Sequence, residues 1–447
     1  MADTSSRGKG KAGTLHMFRA LSHRNYQLFF SGQGISMIGT WMTRVATSWL
    51  VYKLTGSALL LGVVGFAGQI PSFILAPIAG VFVDRWNRHR LLVITQILAM
   101  LQSAALAVLT LTETIQIWHM IALSVFQGLI NAFDMPARQS FVIEMVEDRD
   151  DLPNAIALNS SLVNGARLVG PSVAGVIIAI VGEGWCFAID AVSYIAVIVS
   201  LLAMTLNAAE TVSKVREVNV FRQFKEGWTY VTHSMPIRSI LLLLAFVSLV
   251  GMPYTVLMPI FANEILHGGP YTLGFLMAAS GTGALTGALI LAARKSIVGL
   301  GRYIPRMAAL FGIGLVAFSF SRMIWLSMIL MVMTGLGFMV QMAASNTLIQ
   351  TIVEEDKRGR VMSFYTMAFM GTAPFGSLLA GFVAERIGAP YTLLIGGIGC
   401  VIGAVWFARA LPRLRDFVRP IYIEKGILPE IKTSVLNTSE LSVPPEV

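Results

Sequence analysis

Residues 55–83, 91–112, 239–263 and 323–353 each run without a single Asp, Glu, Lys or Arg, apart from ends set by the flanking loops. A water-facing fold cannot accommodate such stretches. A bilayer core takes about 20 apolar residues per helix, and a helix satisfies its own backbone hydrogen bonds there. Counting apolar runs predicts twelve membrane-spanning helices, at 27–52, 57–83, 89–112, 115–136, 153–182, 184–206, 237–263, 270–293, 303–321, 323–350, 361–385 and 389–409. The composition of the whole chain agrees. Its 447 residues are 55% hydrophobic and 13% charged, with a mean hydropathy of +0.71, where a soluble domain carries about 25% charge. A soluble multidomain enzyme is therefore excluded. The polar, basic stretch before the first span shows no small-residue cleavage site, and the span is too long for a signal-peptide core, so no removed leader is expected.

The net charge of +9 is spread in short clusters between apolar runs. That pattern encodes membrane topology rather than nucleic-acid binding. Of 33 Lys and Arg residues, 28 fall on one side if the twelve spans alternate, and only Lys53, Arg322 and Arg386 on the other. Both termini are thus expected in the cytoplasm. Trp49, Trp118, Trp185 and Trp325 at expected outer ends, and Trp86, Trp228 and Trp406 at inner ones, fit the interfacial preference of indoles.

The longest internal connection divides the chain. We expect a cytoplasmic arm at 1–22, a six-helix bundle at 23–206, a linker at 207–236, a second six-helix bundle at 237–410 and a partly disordered tail at 411–447. In the linker Phe221, Phe224, Trp228 and Val231 recur at helical spacing, which predicts an amphipathic helix joining the bundles. The two halves repeat. Gly128, A-R-Q-S-F-V-I-E-M-V-E-D from Ala137 and G-P-S-V-A-G from Gly170 reappear as Gly335, A-S-N-T-L-I-Q-T-I-V-E-E from Ala344 and G-S-L-L-A-G from Gly376, offset by 207 and then 206. Six plus six helices in parallel repeat are the mark of a two-bundle carrier with its site between the halves.

Between the second and third spans stands G-V-F-V-D-R-W-N-R-H-R, Gly80 to Arg90. It resembles the 2–3 loop signature of the major facilitator superfamily, keeping Gly80, Asp84, Arg85 and Arg88, with Asn87 in place of the second glycine. The resemblance implies a conformational latch in which Asp84 faces the N-terminal end of the eleventh helix near Arg360–Ser363 and holds the outward-open state. The second-half counterpart, G-A-L-I-L-A-A-R-K from Gly287, has lost the acid. In the fifth span G-A-R-L-V-G-P-S-V-A-G resembles the superfamily's antiporter motif. Gly165, Gly170, Pro171 and Gly175 are expected to make close helix crossings there, as are Gly376 and Gly381 in the second half. S-V-F-Q-G, Ser124 to Gly128, lacks the arginine that many proton-coupled exporters carry in the fourth span. N-A-F-D-M-P-A-R-Q-S, G-T-W-M-T-R-V-A-T-S-W-L-V-Y and D-L-P-N-A-I-A-L-N-S are similar to the enterobactin-exporter-like branch of transmembrane secretion effectors and to macrolide efflux carriers. That resemblance implies an all-α major facilitator fold in a bacterial cytoplasmic membrane. It also implies efflux of a siderophore, drug or amphipathic metabolite, coupled to protons.

Ionisable groups inside spans are costly and mark transport chemistry. Arg44, Arg167 and Asp190 are the candidates, with one arginine expected to be neutralised by Asp190 and the other, Arg44 by preference, to face the cavity. Polar candidates for the cavity are Gln33, Gln127, Asn131, Asn159, Asn164, Gln341 and Asn346, although such residues more often bond between helices than contact a ligand. Methionine is concentrated in the second half, including Met323, Met328, Met331, Met333, Met339 and Met342, where flexible thioethers suit varied substrates or fill apolar positions. With no G-x-x-x-x-G-K-[S/T], an ATP-driven pump is not expected. Neither is a metal or cofactor site, since the two cysteines and six histidines are scattered. The expected partners are a small-molecule substrate, protons and the lipid bilayer, without nucleic acid, for a monomer. A lysophospholipid flippase or a non-transporting membrane sensor remains the alternative.

Overall fold

The structure, a computed structural model, describes residues 19–146, 148–205, 220–294, 296–425 and 427. The arm before residue 19 and the tail after residue 427 lie outside the described residues, as does the expected linker as far as residue 219. The first half holds α1 (Arg24–Thr55), α2 (Ala58–Arg85), α3 (Arg88–Leu111), α4 (Ile117–Met145), α5 (Leu152–Val181) and α6 (Glu183–Leu202), preceded by a 3-10 turn at Arg19–Ser22. A connecting helix α7 (Val220–His233) leads to the second half. There α8 (Met235–Val250) and α9 (Tyr254–Ile260) form one broken span, followed by α10 (Pro270–Ala292), α11 (Leu300–Phe320) and α12 (Ile324–Ile352). A second broken span, α13 (Arg358–Met370) and α14 (Ala373–Ile387), precedes α15 (Ala389–Glu424).

Among the described residues, eleven helical runs are long and apolar enough to cross a membrane. The twelfth expected span, α1, is long enough but carries Gln33, Ser36, Thr40, Thr43, Arg44, Thr47 and Ser48, and so falls short in apolarity. It packs between α5 and α6, where polar side chains meet protein or cavity instead of lipid. Two spans expected to be continuous are bent at a glycine. In the seventh, Gly251 and Pro253 separate α8 from α9, and Pro253 cannot donate a helical hydrogen bond. In the eleventh, Gly371 and Thr372 separate α13 from α14. The last helix runs past its expected end near residue 409 to Glu424, although Pro412 and Pro420 lie inside it. Leu414, Val418 and Tyr422 recur at i, i+4, i+8 and are buried. Beyond them Lys425 Nζ donates to the carbonyls of Thr351 (2.7 Å) and Val353 (3.2 Å), satisfying groups left open at the end of α12.

The repeat in the sequence is a repeat in packing. A Cβ at Gly128 would stand 2.8 Å from Gly68 O on α2, and one at Gly335 would stand 1.9 Å from Ser280 O on α10. So the fourth helix of each half lies against the second through a glycine. Gly170 meets α1 at Trp41 and Ile38, while Gly376 meets α8 at Leu249 and the Pro253 bend that follows it. Gly182 and Gly388, 206 apart, both open a helix at positive φ, 92° and 88°, where other residues are strained.

On α7 the side chains of Phe221 and Phe224 lie outside the described part. Trp228 is 54% exposed and Val231 is buried, while Glu226 pairs with Arg360 of α13 at 3.0 Å. The connecting helix therefore rests on the second bundle as well as joining the two.

Candidate substrate cavity

Two helix pairs cross between the bundles at the end away from the basic loops. Along α2 and α14, a Cβ at Gly62 would be 2.6 Å from Ser377 O and 3.0 Å from Gly381 Cα. Glu385 accepts from the Ser57 hydroxyl and the Leu59 N–H, both at 3.0 Å, at the start of α2. Along α5 and α10, a Cβ at Gly274 would be 2.5 Å from Pro171 O and 2.9 Å from Gly175 Cα. Pro171 also leaves the Arg167 carbonyl without its helical donor, and this carbonyl faces Gly281, where a Cβ would come within 3.0 Å. The hydroxyl of Tyr52 on α1 donates to Glu264 beyond α9. Together these contacts shut the far end.

Toward the basic end the bundles part. A cavity of about 1570 Å³ lies between them, bordered at its mouth by Arg85 and Arg88 of the first bundle and Arg360 and Ser363 of the second. Its two walls differ in chemistry. The first bundle contributes Arg44, Arg167, Gln69, Gln102, Gln127 and Asn131 beside apolar residues such as Phe73, Met120 and Met135, whereas the second contributes Met252, Met258, Met277, Phe338, Phe369 and Met370 and, among the described residues, no side-chain amide.

Arg44 and Arg167 both line this cavity. Trp41, one helical turn before Arg44, lies between them: the guanidinium carbon of Arg44 is 4.8 Å from the ring centre and that of Arg167 is 5.2 Å. Asp190 pairs with neither arginine. It is buried between α1, α3 and α6, where the hydroxyls of Thr43 and Ser103 each donate to Oδ2 at 2.8 Å. Its Oδ1 has no hydrogen-bond partner among the described residues. The reason is geometric: Thr43 and Arg44 are consecutive, so their side chains leave α1 about 100° apart, one toward Asp190 and one into the cavity.

Gln127 and Asn131 line the cavity and bond each other at 3.1 Å. The remaining polar candidates lie elsewhere. Gln33 is buried on α1, Asn159 is half-buried on α5, and Asn164 donates to the Ser160 carbonyl. Gln341 is fully buried, with neither amide atom bonded among the described residues, and Asn346 accepts from Gln350. None of these five lines the cavity. The methionines singled out on α12 and just before it do not line it either: Met323 is exposed and Met331 is in the core. Of the signature residues, Arg88 pairs with Glu144 and Arg85 borders the mouth. Asp84 is in the last turn of α2; its side chain, like the Gly80 position before it, lies outside the described part. Of the motif glycines, Gly165 faces open space, Gly170 packs on Trp41, and Gly175 and Gly381 make the crossings between bundles.

Sequence reasoning passed over Trp41, whose place three residues before Arg44 puts both on one helix face. It also passed over a buried polar cluster. Asp134 of α4 accepts from Thr95 (3.0 Å) and Gln96 (2.7 Å) of α3 and pairs with Arg138. An acid and an arginine at i, i+4 inside a span were the available signal.

Residues 16–419 match the family model described as transmembrane secretion effector. The staphyloferrin A transporter of Staphylococcus aureus is 28% identical over 87% of this chain and 97% of its own length. The multidrug efflux pump Tap of Mycolicibacterium fortuitum is 28% identical over 85% and 93%, and the macrolide efflux protein A of Streptococcus pyogenes 22% identical over 84% and 94%. Among solved structures, a bacterial homologue of the human lysosomal transporter Spinster, inward-facing and unoccupied, has a TM-score of 0.69 at 14% identity, covering 89% of this chain and 98% of that one. A point mutant of the nucleoside transporter NupG has a TM-score of 0.67 at 13% identity, covering 86% and 99%. The two-bundle fold, the match along nearly the whole helical region and the efflux relatives agree: this chain belongs to the transmembrane secretion effector family of the major facilitator superfamily.

Proposed function

We propose that the chain is a secondary exporter of small amphipathic molecules, siderophore or drug-like, in a bacterial cytoplasmic membrane, coupled to protons that enter as substrate leaves. One observation carries the reading: a cavity between the bundles, open toward the basic loops, with a cationic polar wall facing a methionine and phenylalanine wall. Such a space takes a molecule with both a polar and an apolar side from the cytoplasm. Alternating access then requires the glycine crossings at the far end to separate as the mouth closes. In the closing step Asp84 comes to the N-terminal end of α13 and is held by the helix dipole. Asp190 is the coupling group of choice, as a buried carboxylate without a cation partner among the described residues that is joined to the cavity through Thr43, a wall residue.

Export from cells with and without the protein, across a labelled siderophore, a macrolide and a lysolipid, tests the reading. Inverted vesicles with an imposed pH gradient test the coupling. Uptake of the siderophore or the macrolide into inverted vesicles, abolished by nigericin, is the expected result. Uptake of the lysolipid alone would replace this reading with lipid flipping, and uptake unchanged by nigericin would remove the proton.

A further inference from the structure

Resting on the export reading, we infer that Arg44, Trp41 and Arg167 form an anion clamp that selects amphipathic carboxylates as substrates. The described cavity lining contains five arginines, at 44, 85, 88, 167 and 360, and no aspartate or glutamate. Arg88 and Arg360 already have carboxylate partners in Glu144 and Glu226. Arg44 and Arg167 make no ion pair or hydrogen bond among the described residues, and Arg167 Nε is buried without a partner. The nearby acid does not neutralise them, because Asp190 faces the other side of α1 and is held by Thr43 and Ser103.

The two guanidinium groups are nonetheless placed with care. Gly170 brings α5 so close to α1 that a Cβ there would meet Trp41 Cβ at 2.5 Å. Trp41 thereby stands between the two arginines and attracts both through its ring. A cation–π contact engages the face of a guanidinium and leaves its N–H edge free. That edge is the part that forms paired hydrogen bonds with a carboxylate. Two such edges on one wall suit a ligand with one or two carboxylates, whose apolar body would lie on Met252, Met277 and Phe338 opposite. A cationic amphiphile of the same size would meet two uncompensated positive charges.

Fluorescein and rhodamine 123 share a xanthene frame but differ in the sign of their charge, so they separate charge from shape. We expect the purified full-length chain in detergent to bind fluorescein more tightly than rhodamine 123 by fluorescence polarisation. Arg44→Gln and Arg167→Gln should each weaken fluorescein about tenfold, the scale of one charge-assisted hydrogen bond, while leaving rhodamine 123 unchanged or tighter. Elution as a single monodisperse species shows that a variant has folded. If a variant does not fold, the wild-type preference between the two dyes decides. Equal or tighter binding of rhodamine 123 by the wild type, or wild-type fluorescein affinity in both folded variants, overturns the clamp. Proteoliposomes separate the two readings: export of rhodamine 123 with no binding of fluorescein removes the clamp and keeps the exporter. Binding of fluorescein at the arginines, with nothing moved, keeps the clamp and removes the exporter.

Discussion

Gly62→Ala should push the protein from the state seen here toward one open at the far end. The added methyl carbon would stand 2.6 Å from Ser377 O and 3.0 Å from Gly381 Cα, both backbone positions of the opposite bundle. Neither yields without moving α14. Overfilling a packed contact costs about 1–3 kcal/mol, a penalty confined to the conformation in which the bundles touch there. The gain of about 1 kcal/mol in helix propensity from alanine is common to both conformations and cancels. The ratio of far-end-closed to far-end-open molecules should therefore fall about 5- to 150-fold. Spin labels on cysteines introduced at Glu113 and Arg322, in helix connections of the first and second bundles, would report the change by double electron–electron resonance as growth of a longer distance. Gly128→Ala is the control, because its methyl carbon would clash 2.8 Å from Gly68 O inside the first bundle and burden both states equally. A wild-type distance distribution in Gly62→Ala, or an equal shift in Gly128→Ala, would refute the assignment of this crossing as the far gate.

Asp190→Asn, nearly isosteric, should keep expression within about twofold, since the Thr43 and Ser103 bonds survive in part, while export loses its dependence on an imposed pH gradient; gradient-driven export at the wild-type rate would clear Asp190 of a coupling role. Asp134→Ala should cost about 3 kcal/mol by stranding Arg138 and two hydrogen-bond donors, read as a lowered melting temperature in detergent; a melting temperature no lower than that of the surface variant Glu355→Ala would show the cluster to be inert. Asp84→Asn should insert normally yet turn over slowly, because the charge at a helix end contributes about 0.3–1 kcal/mol exposed and about 2 partly buried; wild-type transport rates would discard the latch.

Much of this architecture is legible in the sequence because hydrocarbon imposes strict rules on backbone and charge. Apolar length marks a span, and basic loops mark its direction. Glycines at a fixed offset identify positions where two backbones must touch. What is not legible depends on direction around a helix. Asp190 and Arg44 are both charges inside spans, and only their angular position shows that one bonds to hydroxyls behind α1 while the other faces the cavity. The methionines of the cavity follow the same logic. Their abundance in the second half is visible, but Met331 is in the core of α12 whereas Met252, Met258 and Met277 reach the wall. The breaks near Gly251 and Gly371 escape a hydropathy count because a bent helix is as apolar as a straight one.

The symmetry of the frame and the asymmetry of the lining have different causes. Gly128 and Gly335, Gly170 and Gly376, and Gly175 and Gly381 make matching helix contacts in the two halves. The constraint on each is close approach of main chains, which any substituent at Cβ would obstruct, so both halves retain the same small residue. Cavity-facing positions are constrained instead by what passes between the bundles, and there the halves differ: the side-chain amides and four of the five arginines lie on the first, and most of the methionines and phenylalanines on the second. A ligand can shift a conformational equilibrium only by contacts that differ between the states. One that touches a single wall is bound equally well whether the bundles are spread or closed, and so does nothing to move them. On the clamp proposed above, an amphipathic molecule with its anionic end on Arg44 and Arg167 and its apolar face on the opposite wall would gain its second set of contacts only as the bundles come together. On that reading the division of chemistry between the walls would couple occupancy to closure, as a carrier needs if it is to turn over with its cargo instead of leaking without it.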